Sequence, residues 1–322
     1  MVTAMPPQSI PPDSVPPGSI QAAIDLGTNT VLMVTGRLLA DGTVDILDDA
    51  HEIGRLGKGV DASHRILPET MQRVCRLLAD YRRRAQGLGA ERVLAFGTSA
   101  LRDAANKNEF IAASAQVGVE LAELSGQAEA RHTFAGASFG LQLPDSHYAV
   151  LDIGGGSTEL ATGYAGTVEQ SISVDVGAVR VTERCLPQLP PTAAQLKAAR
   201  AMIAPRLAEL FPLSSDRPVI GVAGTVTTLG ALDAGAACFD TREIDGYQLS
   251  LDAVTRWSDQ LLSMSHDGIR ALPQVNEQRA DIIGAGSLIL RGFLESRNLA
   301  GITVSTRGIR YGLLLDMLTR RL

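Results

Sequence analysis

The stretch that decides the reading is LDIGGGSTEL, residues 151–160. Apolar residues run into Asp152, and three glycines and two hydroxyl side chains follow. A strand that ends in a carboxylate and turns through glycine brings bare backbone N–H groups close to whatever lies beyond it. The same design occurs earlier, in AIDLGTNTV at 23–31, where Asp25 precedes Gly27, Thr28, Asn29 and Thr30. Two such turns in one chain imply a repeat at domain scale.

The pattern on either side supports the repeat. IQAAIDL, VLMVTGRLLA and TVDILDDAHEI read as three successive strands, with Asp41-Gly42 as the hairpin signal between the last two. After the glycine-rich GRLGKGVDAS, the stretch LPETMQRVCRLLADYRRRAQGLG predicts a helix, with Pro68 near its first turn and glycines past its end. RVLAFGTSAL is a strand running into a helix, NEFIAASAQVG a helix, VELAELS a short strand and GQAEARHTFAGASFGL another helix. At Tyr148 the order restarts: YAVLDIGGGSTELATGYAGTVEQSISVDVG reads strand, loop, strand, turn, strand. Helices and strands then alternate, with NEQRADIIGAGSLILRGFLESR expected as one helix and RYGLLLDMLTRRL as the closing one. The expected protein is α/β, with similar lobes at 20–140 and 141–307 and a cleft between them. The closing helix, 308–322, is expected to pack back on the first lobe. The Pro-rich 1–19 reads as a disordered lead-in.

Composition sets the outer bounds. The 322 residues are 45% apolar, 20% charged and only 4% aromatic, with a net charge of −6. An acidic surface argues against broad nucleic-acid or membrane binding. No stretch approaches the ~20 apolar residues of a membrane span. Cys75, Cys185 and Cys238 lie far apart and outside CxxC spacing, and the histidines show no HxxxH pairing. Neither a disulfide framework nor a zinc site is expected, and a reducing, cytoplasmic setting fits.

The chemistry follows from the turns. Gly27, Thr28, Asn29 and Thr30 in the first and Gly154, Gly155, Gly156, Ser157 and Thr158 in the second offer donors to an anion with more than one phosphate. Asp25 and Asp152 would repel that anion unless a hard cation, Mg²⁺ or Mn²⁺, lies between, and Glu159 is placed to reach the same ion. Plain hairpin turns are the simpler alternative. In GTSALRDAAN, Thr98 and Ser99 open a helix and Arg102 falls in its first turn, a phosphate fork or a solvated arginine beside ordinary capping. In ELSGQAEARHTFAG, Ser125 is a natural N-cap and Glu129 sits where the helix dipole lowers its pKa. It is a base for water beside a phosphate site, or a dipole partner only. Gly224 and Thr225 in GVAGTVTTLG repeat the strand–glycine–helix form, for phosphate or for packing. Arg55 and Lys58 are expected near the cleft.

With these elements in order, AAIDLGTNT, RLGKGV, FGTSALRDAAN, SGQAEAR, LDIGGGSTEL, GVAGTVTTL and the terminal LPQVNEQRADIIGAGSLIL with VSTRGIRYGLL resemble the motifs of the exopolyphosphatase / guanosine pentaphosphate phosphatase family, in its short two-domain form. The resemblance implies two actin-like (ribonuclease H-like) domains and metal-dependent hydrolysis of a terminal phosphoanhydride, of polyphosphate or of guanosine pentaphosphate. It assigns the catalytic base to Glu129, phosphate contacts to Arg102 and Gly154 through Ser157, and the metal to Asp152 and Glu159. Two positions depart from the family pattern: Ala128 stands where a second glutamate is common, and Tyr311 interrupts the usual Arg-Glu-Gly. A kinase of the same superfamily and a non-catalytic binder of polyphosphate or alarmone are the other classes considered. No nucleic-acid or membrane partner is expected, and a homodimer is the one assembly considered.

Overall fold

In the computed structural model, which describes residues 15–141 and 147–319, the chain divides into two units, Met1–Gln142 with Ile309–Leu322, and Leu143–Gly308. The first unit opens with an antiparallel run of β1 (Ile20–Leu26), β2 (Thr30–Leu38) and β3 (Val44–Ile53). It continues through α1 (Val60–Ser63), α2 (Pro68–Gly87), β4 (Arg92–Gly97), α3 (Ser99–Asp103), α4 (Lys107–Gln116), β5 (Glu120–Glu123) and α5 (Gly126–Ser138). The sheet order is β3-β2-β1-β4-β5, with β4 and β5 joined parallel.

β1 is buried almost throughout because helices cover both of its faces. Ile24 and Leu26 pack with Val74 and Leu78 of α2, while Ala23 and Phe96 belong to the opposite layer. Pro68 opens α2 at a position whose N–H would have no helical partner. The Tyr81 hydroxyl ties the same helix to the Val31 carbonyl at 3.0 Å.

The second unit repeats the plan. β6 (Tyr148–Ile153), β7 (Thr158–Tyr164) and β8 (Thr167–Val174) form the antiparallel run, followed by α6 (Ala178–Cys185), α7 (Ala193–Glu209), β9 (Val219–Val222) and α8 (Ala223–Asp233). Then come α9 (Thr241–Ile244), β10 (Gln248–Ser250), α10 (Leu251–Ser263), α11 (His266–Arg270), α12 (Ile283–Ser296) and β11 (Gly301–Val304). The order is β10-β11-β9-β6-β7-β8. Without its edge strand β10, this matches the first sheet position for position. The α/β class and the doubled organisation expected of actin-like domains are therefore observed. The stretch expected as one helix from Asn276 is broken: a single 3₁₀ turn at Glu277–Arg279 precedes α12.

The last helix, α13 (Ile309–Leu318), lies in the first unit against α5, β1 and β2. Its approach to α5 requires Gly312, where a Cβ would collide with the His132 carbonyl. Arg310 is buried and donates from Nε and Nη2 to the two carboxylate oxygens of Asp49, each at 2.8 Å. The Tyr311 hydroxyl donates to Asp49 at 2.9 Å. Burial pushes that carboxyl up, but Arg310 and His51 outweigh it and hold the group well below the usual range.

Of the expected disordered lead-in, 1–14 lie outside the described residues. Residues 15–19 correct the expectation. Val15 donates to the Leu318 carbonyl at 3.1 Å, and Leu38 donates to Ser19 at 3.1 Å, so the segment is anchored where Val15 packs beside α13. Among the described residues, no helix is long and apolar enough to cross a membrane.

Candidate active site

The turn after β1 forms the first cradle. Gly27 donates to the Thr30 carbonyl at 2.9 Å and closes it. Thr28 and Asn29 are nearly buried, and their carbonyls accept from the loop that follows β3: Gly57 to Thr28 at 2.8 Å, Gly54 and Arg55 to Asn29 at 3.0 and 2.9 Å. Arg55 adopts a left-handed φ of 46° to make this bond. Arg73 of α2 fixes the loop in turn, donating to the Gly54 carbonyl from Nη2 at 2.7 Å. The Asn29 amide nitrogen is buried with no hydrogen-bond partner among the described residues. Asp25 stands at the end of β1, 6% exposed, beside Leu32 and Phe96 in the sheet. Its field reaches Arg310.

Two further motifs of this unit meet. Arg102, in α3, donates from Nη1 to Glu129 Oε2 at 2.6 Å and to the Leu124 carbonyl at 3.0 Å. Ser125 caps α5 by accepting from the Ala128 N–H, which sets Glu129 in the first turn. Glu129 is 7% exposed. Burial pushes its pKa up, against the pull of Arg102. This corrects the expected lowering: loss of water around the carboxylate outweighs the favourable charge and hydrogen bond of Arg102. Capping of α3 also differs from expectation. Thr98 makes no side-chain cap, and its hydroxyl and N–H both go to the Leu26 carbonyl at 3.3 Å. Ser99, the first residue of α3, is buried.

The turn after β6 forms the second cradle, closed by Gly154 donating to the Ser157 carbonyl at 3.0 Å. Thr158 corrects its expected role as an anion donor: it is fully buried, and its hydroxyl donates to the Val176 carbonyl at 2.6 Å. Asp152 and Glu159 are direct partners across β6 and β7, so their side chains leave the same face of the sheet. They are 9% and 2% exposed. Ser173, opposite Glu159 on β8, donates to its Oε1 at 2.6 Å.

Gly224 sits in the first turn of α8, after the left-handed Ala223. A Cβ there would fall on the guanidinium of Arg279, which sequence reasoning missed. Loss of water around that guanidinium draws its pKa down to about 10. The signal available was a glycine at a helix start. What filled the space above it depends on the break before α12. Thr225 turns instead toward α12, packing against Gly286.

A glycine-turn cradle in each unit and a buried arginine–glutamate pair at a helix start are the features to set beside known proteins. The model of the Ppx/GppA phosphatase family matches residues 39–321. The chain belongs to this family. Ppx/GppA relatives include exopolyphosphatase 2 of Mycobacterium tuberculosis, 36% identical over 92% of this chain and 98% of that protein. A guanosine-5'-triphosphate,3'-diphosphate pyrophosphatase of Vibrio cholerae is 29% identical over 92% of this chain, which spans 59% of that longer protein. Among solved structures, an exopolyphosphatase from Cytophaga hutchinsonii superposes with a TM-score of 0.85 at 25% identity, covering 93% of this chain and 98% of that one. The Aquifex aeolicus member of the Ppx/GppA family gives 0.77 at 28% identity, over 94% and 98%.

Proposed function

We propose that this chain is an exopolyphosphatase that hydrolyses the terminal phosphoanhydride of inorganic polyphosphate and releases orthophosphate. The observation that carries the reading is the Arg102–Glu129 pair at 2.6 Å, in a chain of a phosphatase family. Burial makes Glu129 a stronger base than an exposed glutamate, and Arg102 opposes that rise and fixes one of its oxygens. Glu129 accepts a proton from water as the water oxygen attacks the terminal phosphorus. The shortened chain leaves on the opposite side. The charge of Arg102, the N–H groups of both cradles, the Asn29 amide and Arg279 over α8 are the groups suited to phosphate oxygens.

The carboxylates fit a divalent ion. Asp152 and Glu159 emerge side by side, an arrangement of like charges that a cation relieves. Among the described residues no cluster of three or more His, Cys, Asp or Glu side chains comes together to hold a metal. One or two carboxylates, completed by phosphate oxygens and water, is the pattern of Mg²⁺ or Mn²⁺. Asp25 is the corresponding carboxylate of the first unit. When bound, such an ion neutralises charge on the phosphate chain.

The relative that matches over nearly its whole length supports polyphosphate, and the scarcity of aromatic residues leaves little for stacking a purine. Guanosine pentaphosphate ends in the same group and is the second reading, supported by the Vibrio relative. Turnover measured side by side on long polyphosphate, tripolyphosphate and guanosine pentaphosphate with Mg²⁺ tests the choice. The highest kcat/KM is expected on polyphosphate, and a higher value on guanosine pentaphosphate overturns it. Transfer from ATP to an added acceptor without hydrolysis would place the chain with the kinases instead.

A further inference from the structure

The second cradle has a support that no motif announced. The three glycine carbonyls of the turn all accept from α6 and its approach. Ala178 donates to Gly154 at 2.9 Å, and Val179 and Arg180 donate to Gly155 at 2.9 and 3.1 Å. The Gly156 carbonyl accepts from the side chain of Arg180, through Nε at 2.8 Å. The first N–H groups of a helix have no partner within it, so the turn satisfies them as they hold it. Gly177 allows this approach, because a Cβ there would sit 2.5 Å from the Gly155 carbonyl carbon.

The consequence follows from peptide geometry. In a planar trans peptide the C=O of one residue and the N–H of the next point in opposite directions. Holding the carbonyls of Gly154, Gly155 and Gly156 toward α6 turns the N–H groups of Gly155, Gly156 and Ser157 the other way. None of these three N–H groups donates to another described residue. Three successive N–H groups on one side form an anion nest. Backbone N–H groups of α6 hold the first two planes. The third, which carries the Ser157 N–H, depends on one side chain.

We propose that Arg180 is the positioning residue of this phosphate cradle, acting through its Nε–H bond to the Gly156 carbonyl. The proposal rests on the reading of the turn as a phosphate site. Replacement separates its two capacities. Gln places an amide nitrogen at the same position along the side chain as the arginine Nε but carries no charge. Met matches the length and offers no donor.

The test is calorimetric titration of the full chain with inorganic phosphate at fixed Mg²⁺, with KM and kcat on tripolyphosphate and the unfolding midpoint alongside. R180M is expected to bind phosphate about tenfold more weakly, the worth of one well-placed hydrogen bond to an anion-binding peptide. R180Q recovers most of that loss, to within about threefold of the native chain. KM follows the phosphate affinity while kcat changes less, and the unfolding midpoints of both variants stay near the native value. R180M binding as well as the native chain overturns the proposal. So does R180Q falling as far as R180M, which would make the charge and not the Nε–H the active feature. A native chain that releases no phosphate from tripolyphosphate and binds none defeats the phosphatase reading itself, and this proposal with it.

Discussion

In the first unit the turn after β1 carries Thr28, Asn29 and Thr30, whereas in the second the turn after β6 carries three glycines and Ser157. The first is backed by a loop, Gly54 to Gly57, which takes two of its carbonyls. The second is backed by the N-terminus of α6 and Arg180, which take three. On the proposed reading of both turns as phosphate cradles, the difference sets what each one relies on. Where side chains supply donors, as with the buried Asn29 amide, a loop gives sufficient support and the backbone need not be bare. Where the backbone supplies the donors, every peptide plane must be set, and a helix start does this because its own N–H groups need acceptors. The carboxylates differ too. Asp152 has Glu159 beside it, while Asp25 has the arginine of α13 within range.

This contrast can be broken by substitution. Within this contrast the largest effect is expected from D152N, which would remove one of the two carboxylates proposed to hold the cation in this unit. Phosphate release should fall by roughly a thousandfold, with partial recovery at high Mg²⁺, measured by a metal titration of initial rates. G177A comes next. A methyl there presses on the Gly155–Gly156 backbone, which has nowhere to move, so phosphate affinity should drop about tenfold or more by calorimetry. G57A presses on side chains and not on backbone, on Thr28 in the first cradle and on the Ala100 methyl, and should cost about threefold in the same assay. If G57A were the more damaging, the assignment of backbone recognition to the second cradle would be wrong. The smallest expected change is a displacement along the pH axis. As the proposed base, Glu129 must be ionised, so activity is expected above its raised pKa and lost as pH falls through it. R102M removes the group that opposes the rise. The acid limb of kcat should then move to higher pH, beyond the drop in rate. An unmoved limb would detach Glu129 from the acid limb.

Much of this was legible in the amino-acid sequence. Asp25 and Asp152, each before a glycine turn, mark the doubled sheet because the turn chemistry and the strand pattern agree locally. Ser125 before Gly126 announces the start of α5, and with it the place of Glu129. What could not be read depends on contacts between distant residues. The break that carries Arg279 over Gly224 interrupts a stretch of helical periodicity, and only packing reveals it. The rise in the Glu129 pKa comes from burial, which the sequence of α5 does not display. Arg180 lies in an ordinary amphipathic helix, and nothing near it in sequence links it to Gly156. β10 is three residues long, too short for any alternation to register.

The central claim is that Glu129 activates water for attack on a terminal phosphate. It is tested most directly by comparing E129Q with the native chain, measuring phosphate release from polyphosphate and polyphosphate binding in the same preparation. Release should fall by about a thousandfold or more while binding persists, since the amide keeps the shape but cannot accept the proton. Turnover by E129Q at the native rate would contradict the account.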